Sequence, residues 1–315
     1  MRLLITRPLP KAIVDAASAR FETVVRPETV PLGETELRSA LRDFDLVLPT
    51  LRDAFNAQVF ADVPQPRTKL LANFGVGYNH IDVAAARAAG VAVSNTPGAV
   101  TEATADIGLT LILMAARRAS EGERLLRSGK WDGWHPTQLL GMHPGGKTVG
   151  IIGMGRIGKA VARRCALGLG MSVIFYNRSP VPDPGVPARQ VSFEEALGAD
   201  VVVVTLAATP ETKRLIDAKA LARMKPSAIF VNIARGDIVH EEALVDALQT
   251  GMIAGAGLDV YEFEPKITPA LLTMDNVTLL PHLGTAALEV RTSMGLMAVD
   301  NLIAFAEGRP LPNAV

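Results

Sequence analysis

Thr148-Val149-Gly150-Ile151-Ile152-Gly153-Met154-Gly155-Arg156-Ile157-Gly158 is the stretch on which the fold turns. Thr148 to Ile152 reads as a buried strand, and Ile157 to Leu169 reads as a helix. Between them lies Gly-x-Gly-x-x-Gly. Alone, that pattern is weak evidence, since a glycine-rich turn can arise by accident. Between a strand and a helix it is specific. The first glycine makes the turn, the second lets a pyrophosphate approach the backbone, and the third lets helix and strand pack closely. Free N–H groups at the helix start suit phosphate.

Reading outward, further strands are expected at Ser172 to Tyr176, Asp200 to Leu206, Ala228 to Ile233, Ala254 to Leu258 and Val277 to Leu280. The Asp200 segment carries four consecutive valines, the apolar run of a strand buried on both faces. Glu241 to Thr250 reads as a helix stopped by Gly251. Pro180 to Pro187 is a proline-rich loop. A second series precedes this one. Leu3 to Ile5, Phe21 to Arg26, Asp45 to Leu48 and Leu70 to Phe74 read as strands; Pro10 to Ala19 and Ile81 to Ala89 read as helices. Alternation of this kind means parallel sheets with helices on both faces. The expected fold class is therefore α/β: two doubly wound parallel-sheet domains, Rossmann- or flavodoxin-like, with the active site in the cleft between them. A long helix from Thr101, a plausible N-cap, to about Arg118 and a tail helix from Ala286 to Glu307 are candidates for the crossovers.

Composition narrows the function classes. The 315 residues are 49% hydrophobic and 20% charged, an ordinary globular balance. Lys+Arg and Asp+Glu both number 32, so no charge excess points to nucleic acid. No apolar run reaches the length of a membrane span, and Met1 to Lys11 is too short for a secretory signal. The single cysteine, Cys165, allows no intrachain disulfide and fits a reducing compartment. A cytoplasmic protein without nucleic-acid or membrane partners is expected.

The second strand of the dinucleotide unit ends in Tyr176-Asn177-Arg178-Ser179. A carboxylate there would bind the ribose hydroxyls and select NAD. Its absence removes the repulsion of a 2′-phosphate. Arg178 can pair with such a phosphate, while Asn177 and Ser179 can donate to it. NADP(H) is the expected cofactor, with NAD(H) possible if Arg178 is only a solvated loop residue.

Three segments at strand carboxyl ends carry candidate chemistry: Asn232 to Asp237, Leu258 to Pro265, and Leu280 to Thr285. Open parallel sheets bind ligands at those ends. A 2-keto acid offers a carboxylate and a ketone. Arg235 can clamp the carboxylate with its fork. His282 can protonate the ketone oxygen as hydride arrives. Glu264 can orient the imidazole and favour its charged form.

These segments, together with Asn73-Phe74-Gly75-Val76-Gly77-Tyr78-Asn79-His80-Ile81-Asp82 and Val149 to Gly158, make the chain resemble the D-isomer-specific 2-hydroxyacid dehydrogenases over essentially its whole length. The resemblance implies that Arg235, Glu264 and His282 are the catalytic residues, with Glu264, the one immediately before proline, favoured over Glu262. It implies that Gly75-Val76-Gly77 holds the substrate carboxylate through backbone N–H groups, and that Leu51 and Trp134 help to shape the substrate pocket. For the cofactor it implies contacts from Thr104, Gly153, Gly155, Arg156, Ile157, Gly158, Asn177, Arg178, Ser179, Leu206, Pro210, Thr212, Ile233, Ala234, Asp259, His282 and Gly284, with Asp259 reaching the nicotinamide amide. Asn-Arg-Ser after the second strand is similar to the NADPH-dependent glyoxylate and hydroxypyruvate reductases of the family. Residues 1–98 plus 287–315 would form a discontinuous substrate domain, 99–286 the dinucleotide domain, and two copies a homodimer. Trp131 and Trp134 match a segment that in some members reaches the partner's site; dimer or core packing is the equal alternative.

Of five histidines, His80, His135, His143, His240 and His282, only His282 lies in a matching motif at a strand's carboxyl end. His80 is expected to help position the Gly75–Gly77 loop, and His143 and His240 to lie at the surface. No Cys/His cluster has metal-ligand spacing, so no metal is expected. Cys165 is expected to pack inside the helix after the glycine loop. Two other functions fit the same motifs. A D-3-phosphoglycerate dehydrogenase would need basic groups for the phosphate, and Arg52 is the only one in its loop. A dinucleotide-sensing corepressor can retain the three catalytic residues. Formate oxidation is disfavoured, because Glu264 stands where the formate enzymes carry an amide.

Overall fold

The computed structural model describes residues 1–315. The chain divides into two compact units, Met1–Val100 with Ala286–Val315, and Thr101–Thr285. Each holds one parallel sheet.

The first unit contains β1 (Arg2–Ile5), β2 (Glu22–Val25), β3 (Leu46–Leu48), β4 (Leu70–Ala72) and β5 (Ala92–Ser94), in the spatial order β2-β1-β3-β4-β5. β1, β3 and β4 are apolar almost throughout because both faces are covered. One face is covered by the Lys11–Ser18 helix and by Leu288–Ala306, which contributes Ala298, Val299 and Leu302 to the core. Gly295 of the tail helix makes that approach possible: a Cβ there would lie 2.1 Å from Ile13 Cδ1. The chain end returns to β5, where Val315 N–H donates to the Val93 carbonyl at 3.1 Å. The Glu34–Asp43 helix and the Ala92–Ser94 strand were not expected from the sequence.

The second unit contains β6 (Thr148–Ile152), β7 (Ser172–Tyr176), β8 (Ala188–Gln190), β9 (Val201–Val204), β10 (Ile229–Asn232), β11 (Gly255–Leu258) and β12 (Val277–Leu279), ordered β12-β11-β10-β9-β6-β7-β8 and parallel throughout. The strand order reverses between β6 and β9, so the crevice at their carboxyl ends is the predicted ligand position. All four valines of β9 are buried. The Thr101–Ala116 helix covers one face; Thr101 is its first helical residue rather than its cap. Gly257 lets Leu111 of that helix lie flat on β11, a Cβ there meeting Leu111 Cβ at 2.9 Å. After the glycine loop the helix runs Arg156–Arg163 and then widens into one loose turn, Arg164–Gly168. Cys165 is fully buried in that turn, and burial pushes its thiol up to about 12. No helix is long and apolar enough to cross a membrane.

Candidate active site

The glycine loop leaves β6 at Gly153, whose φ of 104° lies where an L side chain is strained. Leu206, at the end of β9, closes over it. A Cβ on Gly158 would lie 2.1 Å from the Gly153 carbonyl oxygen, so only glycine lets the helix start this close to the strand. Thr205 Oγ1 donates to that same carbonyl at 2.5 Å. A Cβ on Gly155, by contrast, would meet nothing within 4 Å. The first helical turn begins there, and the N–H groups of Arg156 and Ile157 have no acceptor inside the helix. Open space in front of free donors at a helix start fits a dinucleotide pyrophosphate.

The turn after β7 is tied to this loop. Asn177 Oδ1 accepts from Met154 N–H at 3.2 Å, and Asn177 Nδ2 donates to the Ser179 carbonyl at 2.8 Å. Asn177 is therefore largely engaged in holding the turn. Arg178 is exposed and makes no hydrogen bond or ion pair. Near it, Pro210 and Thr212 form a short 3₁₀ turn in which Thr209 N–H donates to Thr212 Oγ1 at 2.8 Å. Glu211 there is held below its ordinary range chiefly by a hydrogen bond from Thr209, with a smaller contribution from Arg178.

Arg235, Glu264 and His282 converge at the carboxyl ends of β10, β11 and β12. His282 Nδ1 lies 3.1 Å from Glu264 Oε2, and both side chains are largely buried. Burial alone would raise the Glu264 carboxyl. The hydrogen bond and charge of His282, the Tyr261 N–H and the Arg235 charge outweigh it, so Glu264 is held below its usual value. Arg235 donates to the Ala234 carbonyl at 2.7 Å and has no carboxylate within ion-pair distance. Burial lowers its pKa, and Glu264 and Asp237 offset this only in part. A desolvated guanidinium without a partner is a ready anion site. Asn232 sets its backbone, accepting from Ala234 N–H at 3.0 Å and donating to the Arg235 carbonyl at 2.9 Å.

Asp259 is buried, and its carboxylate accepts from Leu283 N–H at 2.6 Å and Gly284 N–H at 2.8 Å. Burial raises its pKa despite those donors and the nearby His282. Its visible work is to hold the turn that carries His282. Thr104 Oγ1 adds a bond to the Gly284 carbonyl at 3.1 Å. Ile233 and Ala234 are buried beneath the same region.

The loop bearing Glu264 is pinned at both ends by a residue that sequence reasoning missed. Glu241, 3% exposed, accepts from Glu262 N–H at 2.9 Å and from Thr268 through both its N–H and its hydroxyl. Glu262 answers by accepting from Glu241 N–H at 3.0 Å and pairing with Arg214 at 2.6 Å. An acid at a helix start reads from sequence as a favourable end charge, so nothing marked Glu241 as a bridge. The structure also gives Glu262 a role separate from that of Glu264.

In the first unit, Gly75-Val76-Gly77 follows β4. Asn73 Nδ2 donates to the carbonyls of Gly75 at 3.0 Å and Gly77 at 3.1 Å, and Asn95 Nδ2 donates to that of Val76 at 2.9 Å. With the carbonyls tied back, the N–H groups of Val76 and Gly77 have no acceptor in the protein. Asn73 was visible in the sequence only as the first residue of its motif, and Asn95 not at all. Leu51 follows β3 and is half-buried; its carbonyl accepts from Arg7 at 2.8 Å. Trp134 is 79% exposed. His143 is exposed, whereas His240 is half-buried beside Glu242.

A strand–glycine loop–helix with open phosphate space, and an Arg-Glu-His group at the same sheet's carboxyl ends, define a nicotinamide-dinucleotide oxidoreductase. The family model for "D-isomer specific 2-hydroxyacid dehydrogenase, NAD binding domain" matches residues 109–284. A protein named glyoxylate reductase from Thermococcus gammatolerans is 42% identical over 100% of this chain and 95% of its own length. A solved structure from Thermus thermophilus superposes with a TM-score of 0.93 at 42% identity, covering 100% of both chains. An NADPH-dependent glyoxylate/hydroxypyruvate reductase from Sinorhizobium meliloti, solved with NADP and malonate, gives 0.87 at 33% identity over 100% of this chain and 96% of that one. The chain belongs to the D-isomer-specific 2-hydroxyacid dehydrogenase family and is an NAD(P)-dependent oxidoreductase.

Proposed function

We propose that the protein reduces a small 2-keto acid, glyoxylate or hydroxypyruvate, to the matching 2-hydroxy acid, the D isomer where the product is chiral, with NADPH preferred over NADH. The observation that carries this reading is the partly buried Glu264–His282 pair beside an Arg235 that lacks any carboxylate partner. Arg235 forks onto the substrate carboxylate; within the first unit, the N–H donors of Val76 and Gly77 are themselves suited to an anion. Glu264 fixes the ring through Nδ1, which leaves Nε2 to give its proton to the ketone oxygen. The bound dinucleotide supplies the hydride. Its pyrophosphate is assigned to Gly153, Gly155, Arg156, Ile157 and Gly158, its 2′-phosphate to Arg178 with Ser179 and Asn177, and its nicotinamide end to Thr104, Ile233, Ala234, Asp259 and Gly284. Leu206, Pro210 and Thr212 line its path. Leu51 and Trp134 are assigned to substrate choice. The substrate is supported by relatives named glyoxylate reductases, and the cofactor by the Sinorhizobium meliloti protein, named as NADPH-dependent.

The unit Met1–Val100 with Ala286–Val315 is the proposed substrate domain, and Thr101–Thr285 the proposed dinucleotide domain. A homodimer is supported by the apolar groups that one copy leaves uncovered around Trp131 and Trp134, and a cytoplasmic setting by the single unpaired cysteine. The test is initial-rate oxidation of NADPH and NADH, side by side, with glyoxylate, hydroxypyruvate, pyruvate and phenylpyruvate. Faster NADPH oxidation with the two small acids is expected. Equal use of NADH would remove the cofactor preference, and no turnover of the small acids would remove the substrate assignment.

A further inference from the structure

We propose that Gln190 is a positioning residue for cofactor choice, because its side-chain amide clamps the turn that presents Arg178 to an adenosine 2′-phosphate. The inference rests on the NADP reading above and adds a residue outside every motif that supports it. Gln190 ends β8, the last strand at the edge of the sheet, in register with Phe175 of β7. Val191 N–H donates to the Phe175 carbonyl at 2.9 Å, which fixes the Gln190 backbone beside the exit of β7. From there the amide reaches across the turn. Oε1 accepts from Val181 N–H at 3.0 Å. Nε2 donates to the carbonyls of Asn177 at 3.0 Å and Ser179 at 3.2 Å. Both donor hydrogens and the acceptor of one side chain are thereby used on residues 177, 179 and 181.

Two consequences follow from that pattern. The turn is held on both sides of Arg178, while the Arg178 guanidinium itself makes no hydrogen bond or ion pair and has only the charge of Glu211 near it. The carbonyl oxygens of Asn177 and Ser179 are also occupied, so they are not turned as partial negative charges toward an anion. Asn177 continues the chain of contacts to Met154 of the glycine loop. Arg178 is thus referenced to the pyrophosphate site through one connected set of hydrogen bonds. Glutamine is suited to the task by length and by carrying both donor and acceptor. Glutamate would keep the acceptor, but it would press a carboxylate against two carbonyls and add negative charge near the phosphate.

The test compares Gln190→Met, Gln190→Glu and Arg178→Ala with the unaltered full chain. Binding is measured by titration with NADPH and NADH, and with adenosine 2′,5′-bisphosphate and AMP, so that turnover is not the readout. Gln190 is exposed, and thermal unfolding checks that the variants remain folded. Gln190→Met is expected to weaken NADPH and the bisphosphate about tenfold, and NADH and AMP less than about twofold, as lost ordering hydrogen bonds allow. Gln190→Glu should lose more, again selectively. Equal weakening of both members of a pair, or none, overturns the clamp. If Arg178→Ala is selective and Gln190→Met is not, the clamp falls and the 2′-phosphate reading stands. If Arg178→Ala is not selective, that reading falls and the clamp falls with it.

Discussion

His282 holds a left-handed backbone, with φ of 55°, which costs energy for a residue with a side chain. Its N–H donates to the carbonyls of Asp259 at 2.9 Å and Leu280 at 3.1 Å, and Asp259 grips the next two N–H groups. The surrounding bonds therefore over-determine the ring position, and Glu264 fixes its rotation. His282→Asn should lower turnover by about 10²–10⁴, the range of a lost general acid, with little change in dinucleotide affinity; near-normal turnover would exclude the role. The same variant should alter acid stability. Glu264 is depressed in the folded state, so its pairing stabilises above the ordinary carboxylate range and is lost as pH falls through the lower folded value. Without His282, burial is opposed by less. The acid limb of unfolding, followed by circular dichroism, should move to higher pH. An unmoved limb would mean that the pair contributes nothing to stability.

At the scale of elements, the glycine loop separates fold from function in adjacent residues. Gly158→Ala drives a Cβ to 2.1 Å from a backbone carbonyl, which no rotamer change relieves. It should cost about 1–3 kcal/mol, as overpacking does, and lower Tm. Gly155→Ala enters open space at φ −78° and ψ −164°, which alanine adopts freely. Its Tm should hold or rise slightly, while dinucleotide affinity falls at least about tenfold. Similar Tm losses in both would refute the assignment of the open space to ligand. The loop was legible because strand, turn and helix each leave their own mark in the sequence. β9 was legible through its four valines, within an expected strand of Asp200 to Leu206 that overran both observed ends, and β7 was legible to the residue. The β8 strand was not: Ala188-Arg189-Gln190 is too short and too polar to show an apolar pattern. The Glu34–Asp43 helix did carry a signal, Leu37, Ala40 and Leu41 on one buried face, that the strand-by-strand reading passed over. In the site, Arg235, Glu264 and His282 could be named because the residue types match the chemistry. The roles of Asn95, Glu241 and Gln190 could not, because each acts on the backbone of a segment distant in sequence; Asn73 and Asn232 lie inside quoted motifs, but their work is on the backbone beside them and no residue type announces it.

For the whole molecule, the uncovered surface decides the association state. With equal numbers of acids and bases, the chain has no net charge to keep copies apart. The Ala119–Arg127 helix has no buried residue at all. Its ion pairs, Arg118–Glu121, Arg127–Glu123 and Arg124–Asp275, satisfy one polar side. Leu126 nevertheless stays 59% exposed, and Trp131, Trp134 and Leu140 of the following segment are exposed too. Large apolar groups gathered on one stretch of chain mark a binding surface, and tryptophan is enriched at such surfaces. A second copy is the occupant proposed above, and a stable pair needs about 1,200–2,000 Å² of total buried surface. Sedimentation velocity should give about twice the chain mass of 33.4 kDa. Leu126→Glu combined with Trp131→Ala should return the single-chain mass while far-ultraviolet circular dichroism stays unchanged, because neither side chain supports the core of its own chain. A single-chain mass for the unaltered protein at micromolar concentration would refute the homodimer. A dimeric double variant would place the interface elsewhere.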